Sequence, residues 1–332
     1  MFEKVSQHHP DKVADRIGGA LVDLAYTRAE GGWAKSNPRI AGELTLGHGT
    51  ALVILETDAD ITPDDVRQTV QRISGITPDR CHVSIVPQDP HLADNQRDRL
   101  RCGDNGLFKG SPLTPEQREL TALIKTLDEQ FHSDAKAVIG GFNYRAYRDG
   151  KAVIRPSDET TRSLLVTICQ SNATEEEVAD CWNEFWKGQG ATPVKRDPNR
   201  PGTDLCWRLG KRAFSVRINP LGDWTGGLDT DTGALNRKLG SDLGDGITGG
   251  GTNGKDLSKG DVSINIVCFL KAQASQQEVT ATCSIGDETI TFRYADGHTD
   301  TETFADIVEQ ARLYILTQHG SFEKFSEYGL IS

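Results

Sequence analysis

The chain has 332 residues, with 37 basic and 48 acidic side chains and a formal net charge of −11 at pH 7. That length exceeds what one hydrophobic core usually serves, so two or three domains are expected. The acidic balance argues against nucleic acid as a partner, because a phosphate backbone wants a basic face; a small anion held by a local basic cluster stays open. No apolar run is long enough to span a membrane, and no charged-then-apolar leader precedes the first motif, so no membrane partner and a cytoplasmic location are expected. The seven cysteines are odd in number and form no C-x-x-C pair, which favours neither a disulfide framework nor a zinc ribbon. Cys169 and Cys268 fall in apolar runs and read as small core residues.

After His9-Pro10 the chain reads as a helix to about Arg28, with Val13, Ile17, Ala20, Leu21 and Leu24 at helical spacing and Pro10 in the first turn. Residues 39–45 and 50–57 read as strands. Thr62-Pro63-Asp64-Asp65 caps a helix carrying Val66, Val70 and Ile73, and 81–86 is a strand. Thr114-Pro115-Glu116-Gln117 is a capping box opening a helix through Phe131. Strands are expected at 137–145, 151–154 and 163–168. A helix capped at Thr174 runs to about Lys187, with short strands at 205–208 and 213–218. Residues 222–260 are Gly-rich and poor in large apolar side chains, so mostly loop. A helix at 261–274, strands at 279–284 and 289–294, and a helix at 303–316 complete the reading. The simplest division is three α+β units, 1–98, 99–221 and 222–332, with approximate boundaries and room for strands exchanged between units.

Two distant segments carry most of the chemistry. His9-Pro10-Asp11-Lys12 offers an imidazole, a carboxylate and an amine within four positions. Gly249-Gly250-Gly251-Thr252-Asn253-Gly254-Lys255-Asp256-Leu257-Ser258-Lys259-Gly260-Asp261 joins a glycine run to two lysines and an acid. Cations and Mg²⁺-type carboxylates around glycines suit a polyphosphate. The second segment matches G-x-x-x-x-G-K, yet Asp256 stands where a P-loop needs Ser or Thr, and no buried strand precedes it. Lys255, Lys259 and Asp261 surround a helix start, where backbone N–H groups favour anions. Taken singly, Glu43, Glu56, Asp134, Lys136, Asp231 and Arg237-Lys238 read as solvated surface, and Asp104 as turn chemistry.

Together and in order, these segments resemble S-adenosylmethionine synthetase (methionine adenosyltransferase). Glu3-Lys4-Val5-Ser6 before His9-Pro10-Asp11-Lys12 resembles the family's amino-terminal signature. Glu43, Glu56, a Gly-Asp-x-Gly turn at Asp104, Asp134-Ala135-Lys136, Asp231 with Arg237-Lys238, and the Gly-rich loop follow in the family's order, to near Tyr328-Gly329. The resemblance implies three α/β-sandwich-like α+β domains about a pseudo-threefold axis, and a sheet-on-sheet homodimer with shared active sites. It implies ATP and L-methionine as substrates and S-adenosylmethionine, phosphate and pyrophosphate as products. Two Mg²⁺ and one K⁺ per site assist.

By the same resemblance, His9, Lys136, Arg237, Lys238 and Lys255 act on the triphosphate. Asp11 and Asp261 hold Mg²⁺, and Glu43 serves K⁺. Glu56 takes the methionine ammonium; Gln88 and Lys259 are candidates for its carboxylate. Asp104 and Asp231 fall near methionine and the ribose, Asp134 in the nucleotide site, Trp224 at an adenine-stacking position, and Ile285 at the adenine pocket. The chain departs from the family in several places. His8 stands where Gly is usual, and Arg101-Cys102-Gly103-Asp104-Asn105-Gly106 replaces Gly-Ala-Gly-Asp-Gln-Gly. The Gly-rich loop is one residue shorter, Gly260 and Val262 flank Asp261, and the stretches 88–104, 104–134 and the carboxyl terminus are trimmed. A non-catalytic nucleotide-binding member would have lost a phosphate cation or metal carboxylate; none is lost. An unrelated Mg²⁺–ATP phosphotransferase is disfavoured by the failed P-loop.

Overall fold

The structure is a computed structural model, and it describes residues 1–34, 37–95, 98–131, 136–139, 142–145, 149–157, 163–194, 205–246 and 250–332. Contacts divide the chain into two compact units, Met1–His9 with Thr114–Asp231, and Pro10–Leu113 with Thr232–Ser332.

The first unit is built on a six-stranded sheet. Its order is Phe2–Val5, Gly150–Pro156, Ser163–Gln170, Arg212–Ile218, Cys206–Leu209 and Thr192–Val194. Neighbours are antiparallel except Ser163–Gln170 with Arg212–Ile218, which run parallel. The helices Pro115–Phe131 and Glu175–Gly188 pack on it. Thr174 begins the second helix with a complete capping box, its hydroxyl accepting from the Glu177 N–H while the Glu177 carboxylate accepts from the Thr174 N–H. Trp182 and Trp186, which lie one turn apart, are thereby aimed inward. Trp186 stacks on Phe214 with ring centroids 4.1 Å apart, joining helix to sheet. The expected strand 137–145 is a two-stranded hairpin, Lys136–Ile139 with Phe142–Arg145.

The second unit holds two four-stranded sheets. One runs Thr232–Ala234, Ile40–Gly47, Thr50–Thr57, Cys81–Val86; the other Thr299–Thr303, Thr289–Tyr294, Val279–Cys283, Gly106–Gly110. Alternation sets the faces of the first: Ile40, Leu44 and Leu46 point into the core, while Glu43 and Thr45 point out. Pairing Glu43 with Ile54 and Thr45 with Leu52 puts two exposed apolar side chains on the same outer face. The helix Pro63–Ser74, capped at Thr62, carries the chain from Thr50–Thr57 to a parallel partner at Cys81–Val86. The helices Pro10–Arg28 and Phe322–Tyr328 pack together, and Asp261–Ser275 packs against Phe304–Gln318. Residues 222–260, read as mostly loop, contain the strand Thr232–Ala234 and the short helix Leu239–Leu243. Further elements of this unit carry no strong pattern and were not expected, among them the strands Gly106–Gly110 and Thr299–Thr303 and the helices Pro90–Asn95 and Phe322–Tyr328.

Candidate active site

The second unit gathers the charged motif residues into two clusters. The first stands at the start of the helix Pro10–Arg28. Asp11, in its first turn, is fully buried. Its Oδ1 accepts the Ala234 N–H at 2.8 Å and lies 3.1 Å from Arg237 Nε, while Oδ2 is 3.8 Å from Lys238 Nζ. The close pass of Gly233 over this turn needs glycine: a Cβ there would lie 2.1 Å from the Pro10 carbonyl oxygen. Arg237 remains more than half exposed, so its guanidinium faces solvent above a buried acid.

The second cluster surrounds the start of the helix Asp261–Ser275. Lys255 Nζ lies 2.5 Å from Asp261 Oδ2 and donates to the Gly250 carbonyl at 3.1 Å. Lys259 Nζ is 3.9 Å from Glu56 Oε1. Burial pushes the Asp261 carboxyl above its ordinary value, partly opposed by Lys255 and reinforced by the nearby negative Asp104. Gly260, with φ of 94°, makes the sharp turn between Lys259 and the helix. Gly250 leaves room for Asp261, whose Oδ1 would sit 2.2 Å from a Cβ at that position.

Between the clusters runs a polar network that the sequence reading missed. The amino-terminal motif offers Lys12 as one of the cations suited to a polyphosphate. The structure corrects this, because Lys12 is wholly buried and bonded to Asp242 Oδ1 and Oδ2 at 2.8 and 2.7 Å and to Asp15 at 3.0 Å. Burial lowers its pKa, but the two carboxylates outweigh that and hold it above the ordinary lysine value. Burial and the Asp242 charge raise the Asp15 carboxyl to about 7 against the pull of Lys12. Asp15 accepts the Asn236 N–H at 2.8 Å. Asn236, at φ of 60°, accepts the N–H groups of Thr252 and Asn253 at 3.0 and 2.9 Å and donates to the Asn253 carbonyl at 3.1 Å. The Gly-rich loop is therefore fastened next to Arg237. Asp256 is likewise structural: buried, it caps the turn Leu257–Lys259 and accepts the Ile40 N–H at 2.8 Å. The available sequence signal was the bunching of Asp11, Lys12 and Asp15, three of the helix's six charges, among its first six residues.

Other expected residues lie elsewhere. In the second unit, Glu43 projects from the outer sheet face and Gln88 is buried beyond the strand Cys81–Val86, whereas exposed Asp104 stays beside the second cluster, its charge acting on Asp261. Ile285 is half exposed and its N–H donates to Asn105 Oδ1 at 2.9 Å. In the first unit, His9 is buried, with its N–H on the Ser6 carbonyl. Trp224 is partly exposed and accepts from Asn172 through its carbonyl, and Asp231 is exposed. Lys136 begins the hairpin strand Lys136–Ile139; Asp134 lies outside the described residues.

No protein-family model matches the chain. Among curated proteins, it is 28% identical over 299 residues to the S-adenosylmethionine synthase of Rhodopseudomonas palustris, covering 79% of this chain and 70% of that one. It is 29% identical over 284 residues to that of Desulfosudis oleivorans, covering 79% and 69%. Its curated homologues are S-adenosylmethionine synthases. In fold it matches the structure of an unusual S-adenosylmethionine synthetase from Campylobacter jejuni, with a TM-score of 0.63 at 16% identity over 99% of this chain and 93% of that one. Among the described residues, no helix is long and apolar enough to cross a membrane.

Proposed function

We propose that the chain is a methionine adenosyltransferase, joining ATP and L-methionine into S-adenosylmethionine with release of phosphate and pyrophosphate. The observation that carries the reading is the pair of carboxylate–cation clusters, Asp11 with Arg237 and Lys238, and Asp261 with Lys255 and Lys259. Both stand at helix starts in one unit. A thioether sulfur is already a nucleophile and needs no general base. The barrier lies in parting a polyanionic leaving group from the 5′ carbon, so electrostatic stabilisation is the main requirement. One well-aimed donor is worth roughly 3 kcal/mol in such a site. Arg237, Lys238 and Lys255 supply those donors, with His9 and Lys136 added by resemblance. Tripolyphosphate, once released from carbon, is hydrolysed on the same cations.

The residues also fit Mg²⁺. Asp11 and Asp261 are hard oxygen donors, each beside cations that would also meet phosphate oxygens. One carboxylate per ion, completed by phosphate oxygens and water, is the usual Mg²⁺ arrangement. Bound there, two Mg²⁺ would neutralise the triphosphate. Glu43 would give one carboxylate to K⁺. Glu56 and Lys259 are suited to the methionine ammonium and carboxylate, with Gln88 as a further amide donor. Asp104, Asp134, Asp231, Trp224 and Ile285 keep the nucleotide and methionine roles that the resemblance implies.

We further propose a three-domain organisation about a pseudo-threefold axis, over 1–98, 99–221 and 222–332, supported by three sheets that each draw most strands from one third, with Phe2–Val5, Gly106–Gly110 and Thr232–Ala234 exchanged between thirds. A homodimer with sheet faces in contact is supported by exposed Leu52, Ile54 and Val86 on one sheet. A cytoplasmic location is proposed with it. The test is to supply ATP, methionine and Mg²⁺ and analyse products. A sulfonium nucleoside with equal phosphate and pyrophosphate supports the proposal; ADP and phosphate without sulfonium would replace it with a plain ATPase.

A further inference from the structure

Two buried thiols meet beside the second cluster. Cys102, at 0% exposure, and Cys283, at 7%, lie with Sγ atoms 3.3 Å apart, although 181 residues separate them in the chain. Each thiol also donates to the Asp104 carbonyl, both at 3.2 Å. Their backbones are pinned. Cys102 donates its N–H to the Asp287 carbonyl and accepts from Gly286, while Cys283 pairs with Gly106 across the sheet. Cys283 lines an open cavity of about 460 Å³, shared with Asn105, Gly106, Leu107, Thr282 and Gly250 of the Gly-rich loop. The cluster residues are next door. A Cβ on Gly260 would lie 2.8 Å from Cys102 Sγ and 3.9 Å from Cys283 Sγ, and Gly260 sits between Lys259 and Asp261.

We propose that Cys102 and Cys283 are a reversible oxidation site, whose disulfide disables the Asp104, Lys259 and Asp261 group. A disulfide needs sulfurs about 2.05 Å apart, so closure asks little more than 1 Å of movement between two anchored segments. The oxidant class is a hydroperoxide, small enough to enter the cavity. Cys283 sulfur attacks one peroxide oxygen, the O–O bond breaks, and the thiol proton leaves with the other oxygen as water, giving a sulfenic acid. Cys102 sulfur then attacks that sulfur, and the hydroxide leaves with the Cys102 proton as a second water. Two thiols are oxidised by two electrons and one peroxide is reduced. The thiol–thiol contact holds Cys102 below the ordinary thiol value while raising Cys283, so it favours the second step, in which Cys102 attacks; Cys283 takes the first because it lines the cavity. Elsewhere burial without such a partner raises the thiols of Cys81, Cys169, Cys181 and Cys268. Closure removes both S–H donors from the Asp104 carbonyl and draws sulfur away from the crowded Gly260 turn. The turn and the helix start carrying Asp261 then lose their registration.

The functional consequence rests on the proposed adenosyltransferase reading; the bond itself does not. The full-length protein is treated with hydrogen peroxide and mapped by peptide mass. The expected result is a Cys102–Cys283 cross-linked peptide, formed before other cysteines react and removed by dithiothreitol. Sulfonium synthesis should fall at least tenfold as the cross-link forms and return on reduction. Cys283→Ala and, separately, Cys102→Ser should form no cross-link and keep their own activity through the same treatment. Cross-links to other cysteines first, or full cross-linking with unchanged activity, overturns the proposal. If untreated protein makes no sulfonium, the functional reading fails while the mapping still tests the site.

Discussion

Replacing Lys12 by Met removes the cation that bridges two carboxylates, Asp15 and Asp242, all fully buried. Methionine fills much of the lysine stem's volume, so the change is mainly one of charge. Removing one member of a buried ion pair costs about 3–5 kcal/mol, because the stranded charge has neither water nor partner. Here Asp15 already titrates near 7 with Lys12 present, so loss of Lys12 leaves it protonated at neutral pH. The remaining uncompensated charge is then Asp242, which also receives Asn253 and lies beneath the carboxyl-terminal residues: its carbonyl accepts from Leu330 and Ile331. Adding Asp242→Asn removes that charge, so the double variant should be less damaged than the sum of its parts by about 2 kcal/mol. Hydrogen exchange of the amides in the helix Pro10–Arg28 reports the opening free energy of the affected unit without assuming that both units unfold together. The single variant should lose at least 3 kcal/mol of protection. A loss below about 1 kcal/mol, or additivity of the two changes within about 0.5 kcal/mol, would refute the charge argument.

Other perturbations separate catalysis, metal use, assembly and pH. Lys136→Met should lower turnover by about 10²–10³ with little change in ATP affinity, measured by single-turnover kinetics against equilibrium binding; lost binding with an intact turnover number would contradict a transition-state role. Asp261→Asn should move the Mg²⁺ activation curve to higher concentration as well as lower its plateau, and an unchanged midpoint would reject Asp261 as a ligand. Mixing His9→Ala with Lys255→Ala under subunit exchange should restore about a quarter of wild-type activity if sites are shared, since half the pairs are mixed and each has one intact site; demonstrated exchange without recovery would exclude sharing. Burial raises Asp23 to about 6 despite the Phe322 and Glu323 N–H groups it accepts at 2.8 and 2.9 Å. A raised acid binds its proton more tightly when folded, so its contribution falls as pH rises from about 4 to about 6 and stays lost above. Asp23→Asn should flatten that part of the stability–pH curve, by at most about 3 kcal/mol, in urea titrations at stepped pH.

Where a segment's side chains alternate or repeat cleanly, the reading and the structure agree: the strands Cys81–Val86 and Thr289–Tyr294 have the expected bounds, and the Thr62 and Thr174 caps are formed. The unread elements are held by their neighbours. Thr299–Thr303 is wholly polar and exists because it extends a sheet edge, with Thr291 and Thr301 hydroxyls in contact at 2.9 Å. Gly106–Gly110 is a strand with glycine at both ends, and Gly110 is required by the backbone of Cys268, which a Cβ would meet at 2.1 Å. The cations of the candidate site were visible as motif residues, whereas their pairing was not. Lys255 reaches Asp261 only because Gly254 and Gly260 turn the chain, and Lys12 lies beside Asp11 in sequence but serves a buried network. Adjacent charges on a helix point in different directions, and only packing decides which partners each one meets.

The most direct test asks which bond of ATP is broken. ATP carrying ¹⁸O at the oxygen between the 5′ carbon and the α-phosphorus is incubated with methionine, Mg²⁺ and the enzyme, and the products are weighed by mass spectrometry. Attack of sulfur on carbon sends the labelled oxygen out with the phosphates, so the pyrophosphate and phosphate pool should hold all of it and the adenosyl product none. Label retained on ADP, AMP or adenosine would mean cleavage at phosphorus, and the adenosyltransferase account would be wrong.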